Sequence, residues 1–459
     1  MNSYERGSYG YQPEKKLSEP GSHSNRFIYT LLFLSVSCAL INSFLIDKHL
    51  SADGVNYFCF ILDNRDFTHI SWSRQFATYL TEWPLVLGVR SGITDIPILS
   101  RLFAIGLYFP YVVSFAACIY AVRGENNDLL LFPLVSIVGI NLLVDYRLGG
   151  EHLVMALLSW PILLLSLRRA ALTWVDGFLL WILLILFSRT FETAVIPAII
   201  FFAIFAVRLH HNLKSKKEVV ILCISILLSI VTVIISLYFI INPTDIINKA
   251  SFIPAIRKTL RNPFVWSVTI FTLLFTVGLI LRNNYCILLS AVPVAISSAV
   301  FLFASHGLTA AESFSCRTLT GTLLPFLLIC SIAFRYYNVQ QSKISAWILI
   351  VFVLVSVVGN IRFSHDWRTF RQQVVEIVTR GKGYIPVEET VIKDSPYKWG
   401  WNNTQLGLVW SYPCVRAILL NSPHIRWEPF DPRETLVLKS YLRYDNFFKH
   451  VDSNITTCN

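Results

Sequence analysis

Asp53 is the first residue in the chain whose type and setting suit catalysis. It stands a few residues past an apolar block, and Gly54 and Tyr57 follow it. A carboxylate at the mouth of an apolar segment can serve as general base on a hydroxyl. Gly54 allows a ligand close to the backbone, and Tyr57 lies one helical turn further on. Asp is also a favoured helix N-cap, and spacing by itself favours that role.

Three further groups mix acids with bases. Asp145, Arg147, Glu151 and His152 crowd a glycine-containing loop between two apolar blocks. An Arg or His there can hold a phosphate, and an acid can bind a divalent metal or a sugar hydroxyl; the plainer reading is a tight turn with solvated charges. Glu151 and His152 open an apolar helix, where ionisable side chains are costly and tend to be functional. Arg189 and Glu192 stand three residues apart between apolar blocks, a spacing that allows a mutual ion pair, either structural or part of a substrate path. His306, Glu312 and Arg317 share a later loop, with Arg317 at a helix entrance suited to an anion. His69 and Arg74 sit in a long early loop, as headgroup-level charges or as ligand contacts.

These residues need a frame, and the frame is apolar. The chain has 459 residues, 54% hydrophobic and 15% charged, against about 25% charged in soluble domains; its mean hydropathy is +0.56. Apolar blocks near 27–47, 102–121, 129–143, 153–167, 172–187, 193–207, 219–241, 264–281, 285–304, 319–334 and 345–361 approach the length that spans a bilayer. The expected fold is an all-α polytopic membrane protein of about eleven transmembrane helices. Residues 1–26 form a polar tail rich in Gly, Ser, Pro and Tyr, 27–361 the membrane domain, and 362–459 a small mixed C-terminal domain.

Lys and Arg are denser in alternate short loops, such as those holding Lys214, Lys216 and Lys217. This places the N-terminus in the cytoplasm and the C-terminus outside, across a plasma membrane of bacterial inner-membrane type. The long loop 48–101 then faces outward. Within it Trp72, Phe76, Tyr79, Leu80, Trp83 and Leu87 recur at helical spacing, which predicts an interfacial helix over 66–83 with an aromatic side.

The net charge of +11 is explained by membrane orientation, and no nucleic-acid motif accompanies it. There is no phosphate-binding Walker glycine loop and no nucleophile elbow. The nine cysteines show no zinc spacing; a Cys414–Cys458 disulfide is one option for the outer domain.

An acidic residue at the start of the first outer loop, then an aromatic and an amphipathic interfacial helix, resembles the GT-C superfamily of membrane glycosyltransferases. The resemblance implies eight to fourteen spans, a long first outer loop and a C-terminal outer domain. It also implies a polyprenyl-phosphate sugar donor and a glycan or lipid acceptor on the outer face, with Asp53 as base. Tyr57, His69, Arg74, Arg147, Glu151, His152, Arg189, Glu192 and Arg317 would form the substrate site. This chain departs from the pattern by having Gly54 beside Asp53 rather than a second acid, and by lacking the Asp-x-Asp of related loops. Rival readings are an O-antigen polymerase or ligase, and a transporter or flippase of a lipid-linked saccharide. The absence of a repeat and the charges gathered at helix ends favour the transferase.

Overall fold

The computed structural model describes residues 22–51, 53–68, 72–123, 125, 127–141, 150–211, 215–242, 263–281, 283–290, 292, 324–335, 339–381, 383–395, 397, 403–411 and 417–420. The described helices are α1 (Ser22–Leu45), α2 (Asp53–Asn64), α3 (Gln75–Arg90), α4 (Ile96–Ala121), α5 (Leu131–Val135), α6 (Glu151–Ser166), α7 (Trp174–Phe187) and α8 (Val195–His211). They continue with α9 (Lys216–Ile241), α10 (Pro263–Ile280), α11 (Leu324–Arg335), α12 (Val339–Arg380) and α13 (Asn403–Ser411). Two short strands, β1 (Gly383–Pro386) and β2 (Ala417–Leu420), pair in parallel.

Among the described residues, four helical stretches are long and apolar enough to cross a membrane: Ile96–Ala121, Glu192–His211, Lys216–Ile241 and Ile344–Arg380. Six shorter apolar helices accompany them. The result is a helical bundle with the build of a membrane protein. Many large apolar side chains point away from it, among them Leu34, Val112, Phe178, Leu227 and Val351. This outward greasiness is what a lipid solvent tolerates and water does not.

Polar starts and stops cut the apolar blocks into helices. Asp95 caps α4 by accepting the Ile98 N–H at 2.9 Å, with Pro97 in the first turn. Thr173 and Asp176 form a reciprocal capping box on α7, and Ser215 caps α9. α3, α4 and α6 converge on Thr81. A Cβ at Gly106 would fall 2.0 Å from the Thr81 carbonyl oxygen, and one at Gly150 would fall 3.0 Å from its methyl group. Glycine at these positions is what lets the three helices meet so closely.

Two expected boundaries move. The interfacial helix does not run over 66–83: a single 3-10 turn at Trp72–Arg74 leads into α3, which continues through Pro84 to Arg90. Thr68 is drawn instead onto a side chain of α3, and Leu85, Val86 and Val89 carry the helix past the proline by packing inward. The aromatic side is as expected. Trp72, Trp83 and Leu87 are exposed, with Phe76, Tyr79 and Leu80 half-buried along the same face.

The last apolar helix also passes the expected boundary at 362 and ends at Arg380. Phe363, Trp367, Phe370, Val374 and Val378 recur every three or four residues and are buried together with residues of α2, α3 and α4. Trp367 donates to the Ile46 carbonyl at 2.9 Å. Asp47, in the left-handed region at φ 57°, bridges Arg101 at 3.2 Å and Arg371 at 2.9 Å. The C-terminal strands and α13 dock on this same end of the bundle. The N-terminal residues 1–21 and residues 421–459, including Cys458, lie outside the described residues, as does Cys414.

Candidate functional site

The site is assembled at the end of the bundle where α4, α6 and α8 begin and α7 ends. α2 brings Asp53 and Tyr57, and the 3-10 turn brings Ser73 and Arg74. α3 brings Glu82, α6 brings Glu151 and His152, and the α7–α8 turn brings Arg189, Phe191 and Glu192.

Tyr57 donates its hydroxyl to Glu151 Oε1 at 3.0 Å. Glu151 is buried, and no partner for its Oε2 exists among the described residues. Arg74 is buried as well. Its Nε meets Glu192 Oε1 at 3.0 Å and its Nη2 meets Oε2 at 3.3 Å, while Ser73 donates to the same carboxylate at 2.7 Å. The guanidinium lies 4.9 Å from the centre of the Phe191 ring. Burial alone would lower the Arg74 pKa. Glu192 and then Glu151 outweigh it and hold the group above its ordinary value. His152 is fully buried and meets Phe191 edge to face, with ring centres 6.0 Å apart.

Arg189 behaves differently from expectation. It does not pair with Glu192, because the turn sends the two side chains apart. Glu192 joins Arg74, whereas Arg189 donates through Nε to the Trp72 carbonyl at 2.9 Å and lies over the Trp72 and Phe76 rings at 5.1 and 5.4 Å. Its backbone carbonyl accepts the Phe76 N–H at 3.1 Å. The rest of the guanidinium fork has no protein partner among the described residues.

Glu82 is the group the sequence did not single out. Its carboxyl accepts the Thr68 N–H at 2.8 Å and shares a short hydrogen bond with the Thr68 hydroxyl. Burial pushes its pKa up to about 8 and nearby Glu151 adds to the rise, against the lowering pull of the Thr68 bonds. At neutral pH Glu82 is therefore a carboxylic acid whose O–H can donate to Thr68 while its carbonyl accepts. The available signal was its register, since it lies off the exposed line of Trp83 and Leu87 on α3 and is buried.

The consequence is testable. A carboxyl whose folded pKa lies near 8, above its ordinary 4.5, stabilises the fold at low pH. That stability is lost as pH rises through 8. The wild type should lose on the order of 2–3 kcal/mol from this group between pH 6 and pH 9. Glu82→Gln reproduces the donor and acceptor without the titration. Unfolding midpoints across that range should fall less steeply for the variant, and identical slopes would contradict the assignment.

A cavity of about 30 Å³, large enough for a water molecule or two, opens beside Tyr57, between His49, Gly54, Thr81 and Gly150. His49 shares a hydrogen bond with Ser100 Oγ at 2.9 Å. Burial, then Arg101 and Arg371, push its pKa down to about 3, so the imidazole is neutral. A Cβ at Gly54 would lie 1.9 Å from the His49 carbonyl oxygen. Gly54 thus serves a close backbone approach rather than an approach to a ligand.

Asp53 occupies the first turn of α2, half-buried, one turn before Tyr57. Of the ten residues expected to form the catalytic and substrate site, seven are described, and all seven lie at this end. His69, Arg147 and Arg317 lie outside the described residues, as do Asp145, His306 and Glu312. Among the described residues no three His, Cys, Asp or Glu side chains gather as a metal site, so the divalent metal allowed by the sequence has no ligand set here. No family model, no curated protein and no solved structure matches this chain.

Proposed function

We propose that the chain is a multi-pass membrane glycosyltransferase of GT-C type, with about eleven spans, a cytoplasmic N-terminus and the site on the outer face. It would move a sugar from a polyprenyl-phosphate donor to a glycan or lipid acceptor. One observation carries this reading. A mostly buried cluster of Arg74, Glu82, Glu151 and Glu192, in which Arg74 pairs with Glu192 and Tyr57 donates to Glu151, sits at one end of an apolar bundle beside a helix with an exposed aromatic face. Such a site can keep a lipid tail in the membrane while its head reaches polar groups.

Each residue then has a role. The acceptor hydroxyl loses its proton to Asp53 as its oxygen bonds to the anomeric carbon. The bond from that carbon to the phosphate oxygen breaks, and the electron pair leaves on the phosphate. Glu151 orients Tyr57 toward the sugar. The phosphate falls to Arg189 rather than Arg74, because Arg74 is already committed to Glu192 and the open fork of Arg189 is stacked on the aromatic face. A planar fork held between rings suits a phosphate oxygen pair.

Arg189→Gln should weaken binding of polyprenyl phosphate about 10- to 100-fold, the worth of one or two charge-assisted hydrogen bonds. Arg189→Lys should fall between, since it keeps the charge and loses the fork. Titration of the detergent-solubilised proteins with polyprenyl phosphate reads this out. Undiminished binding by Arg189→Gln would remove Arg189 from the donor site.

A further inference from the structure

We infer that the opposite end of the bundle is a binding surface for anionic phospholipid headgroups. The inference is independent of the catalytic reading. Three ion pairs knit that end together: Arg168 with Asp176 at 3.0 Å, Arg208 with Glu218 at 2.6 Å, and Arg335 with Glu125 at 2.6 Å. Arg208 also donates to the carbonyls of Ser166, Arg168 and Ala170, and Glu125 accepts the Arg169 N–H at 2.6 Å. These bonds bring residues 123 and 125, 166–170, 208–211, 215–218 and 335 into one surface.

The acids Glu125, Asp176 and Glu218 are thereby consumed, and Asp128 is also engaged. The cations are not. The side chains of Arg123, Arg169 and Lys216 are exposed and that of Lys217 is half-buried, and none of the four meets a carboxylate among the described residues. Four positive charges therefore lie at this surface with no carboxylate of the described residues to balance them. Below them in the fold the surface is apolar: Trp174, Val175 and Phe178, in the first turns of α7, are 55%, 66% and 63% exposed.

A cationic rim over an exposed apolar belt matches the boundary between phosphate headgroups and acyl chains. A soluble acidic protein would answer the charges and leave Trp174, Val175 and Phe178 in water. An anionic lipid answers both. Each basic residue near an anionic surface strengthens attraction on the order of five-fold.

The test compares phosphatidylglycerol with phosphatidylcholine of the same acyl chains, added to the purified full-length protein in detergent. The unfolding midpoint is measured at 50 and 500 mM NaCl. Lipid that binds only the folded state raises the midpoint. Phosphatidylglycerol should raise it by several degrees more than phosphatidylcholine at low salt, and the difference should shrink at high salt through screening. A variant carrying Arg123→Gln, Arg169→Gln, Lys216→Gln and Lys217→Gln should lose that difference. Arg65→Gln with Lys393→Gln, away from this surface, should keep it. Equal effects of the two lipids on the wild type, a difference indifferent to salt, or a quadruple variant with its preference intact would each overturn the inference. Should the quadruple variant fail to fold, the wild-type salt series still decides.

Discussion

Asp53→Asn protein is expected to fold and enter the membrane normally and to lose about 10²- to 10⁴-fold in sugar transfer, the usual worth of a general base. Asparagine keeps the size of the side chain and its capacity to accept backbone hydrogen bonds. The competing structural role is favourable charge in the first turn of α2, worth about 0.3–1 kcal/mol. The two roles therefore separate cleanly. A capping or dipole role predicts a small loss of stability with activity retained, and a catalytic role predicts the reverse. Near-normal turnover by well-folded Asp53→Asn would remove Asp53 from the mechanism.

Arg74→Gln is expected to have the largest effect on stability. Arg74 and Glu192 are mostly buried, at 9% and 20% side-chain exposure, and Glu151 lies within the same field. Removing one partner of a buried pair strands the other and costs about 3–5 kcal/mol; the residual exposure of Glu192 points to the lower end. Donor turnover should fall too, because Ser73, Arg74 and Glu192 tie the 3-10 turn to the α7–α8 turn that carries Arg189. Adding Glu192→Gln should recover part of the loss, and the difference measures the coupling. Unfolding midpoints of the wild type, both single variants and the double variant provide the check. A single variant as stable as the wild type would show that the pair contributes nothing.

The helices were legible because a membrane protein writes them as hydropathic blocks. α6 opens at Glu151 and α7 ends at Phe187, within two residues of the expected limits. The aromatic side of α3 was legible from its spacing, but not the start of the helix. Thr68 binds Glu82 across fourteen residues, and local pattern does not carry such a contact. The expected helix ended at 83, whereas inward packing of Leu85, Val86 and Val89 carries it through Pro84 to Arg90.

The site divides in the same way. Glu151 and Glu192 were visible as acids at the ends of apolar blocks, and Tyr57 and Arg74 as residues of the long first outer loop. Their partners were not, because Arg74 meets Glu192 across 118 residues and Tyr57 meets Glu151 across 94. Local spacing suggested Arg189 with Glu192, and tertiary structure chose otherwise. Glu82 was hidden among the aromatics of its helix. An acid on the inward side of a helix whose outward side is greasy is the pattern that would have found it.

The most direct measurement is a cryo-electron-microscopy structure of the full-length protein with polyprenyl phosphate. The account predicts density for the phosphate within hydrogen-bonding distance of the Arg189 guanidinium, with the prenyl chain along the Trp72, Phe76 and Trp83 face and Asp53 open to the acceptor side. An empty Arg189 fork at saturating lipid would contradict it.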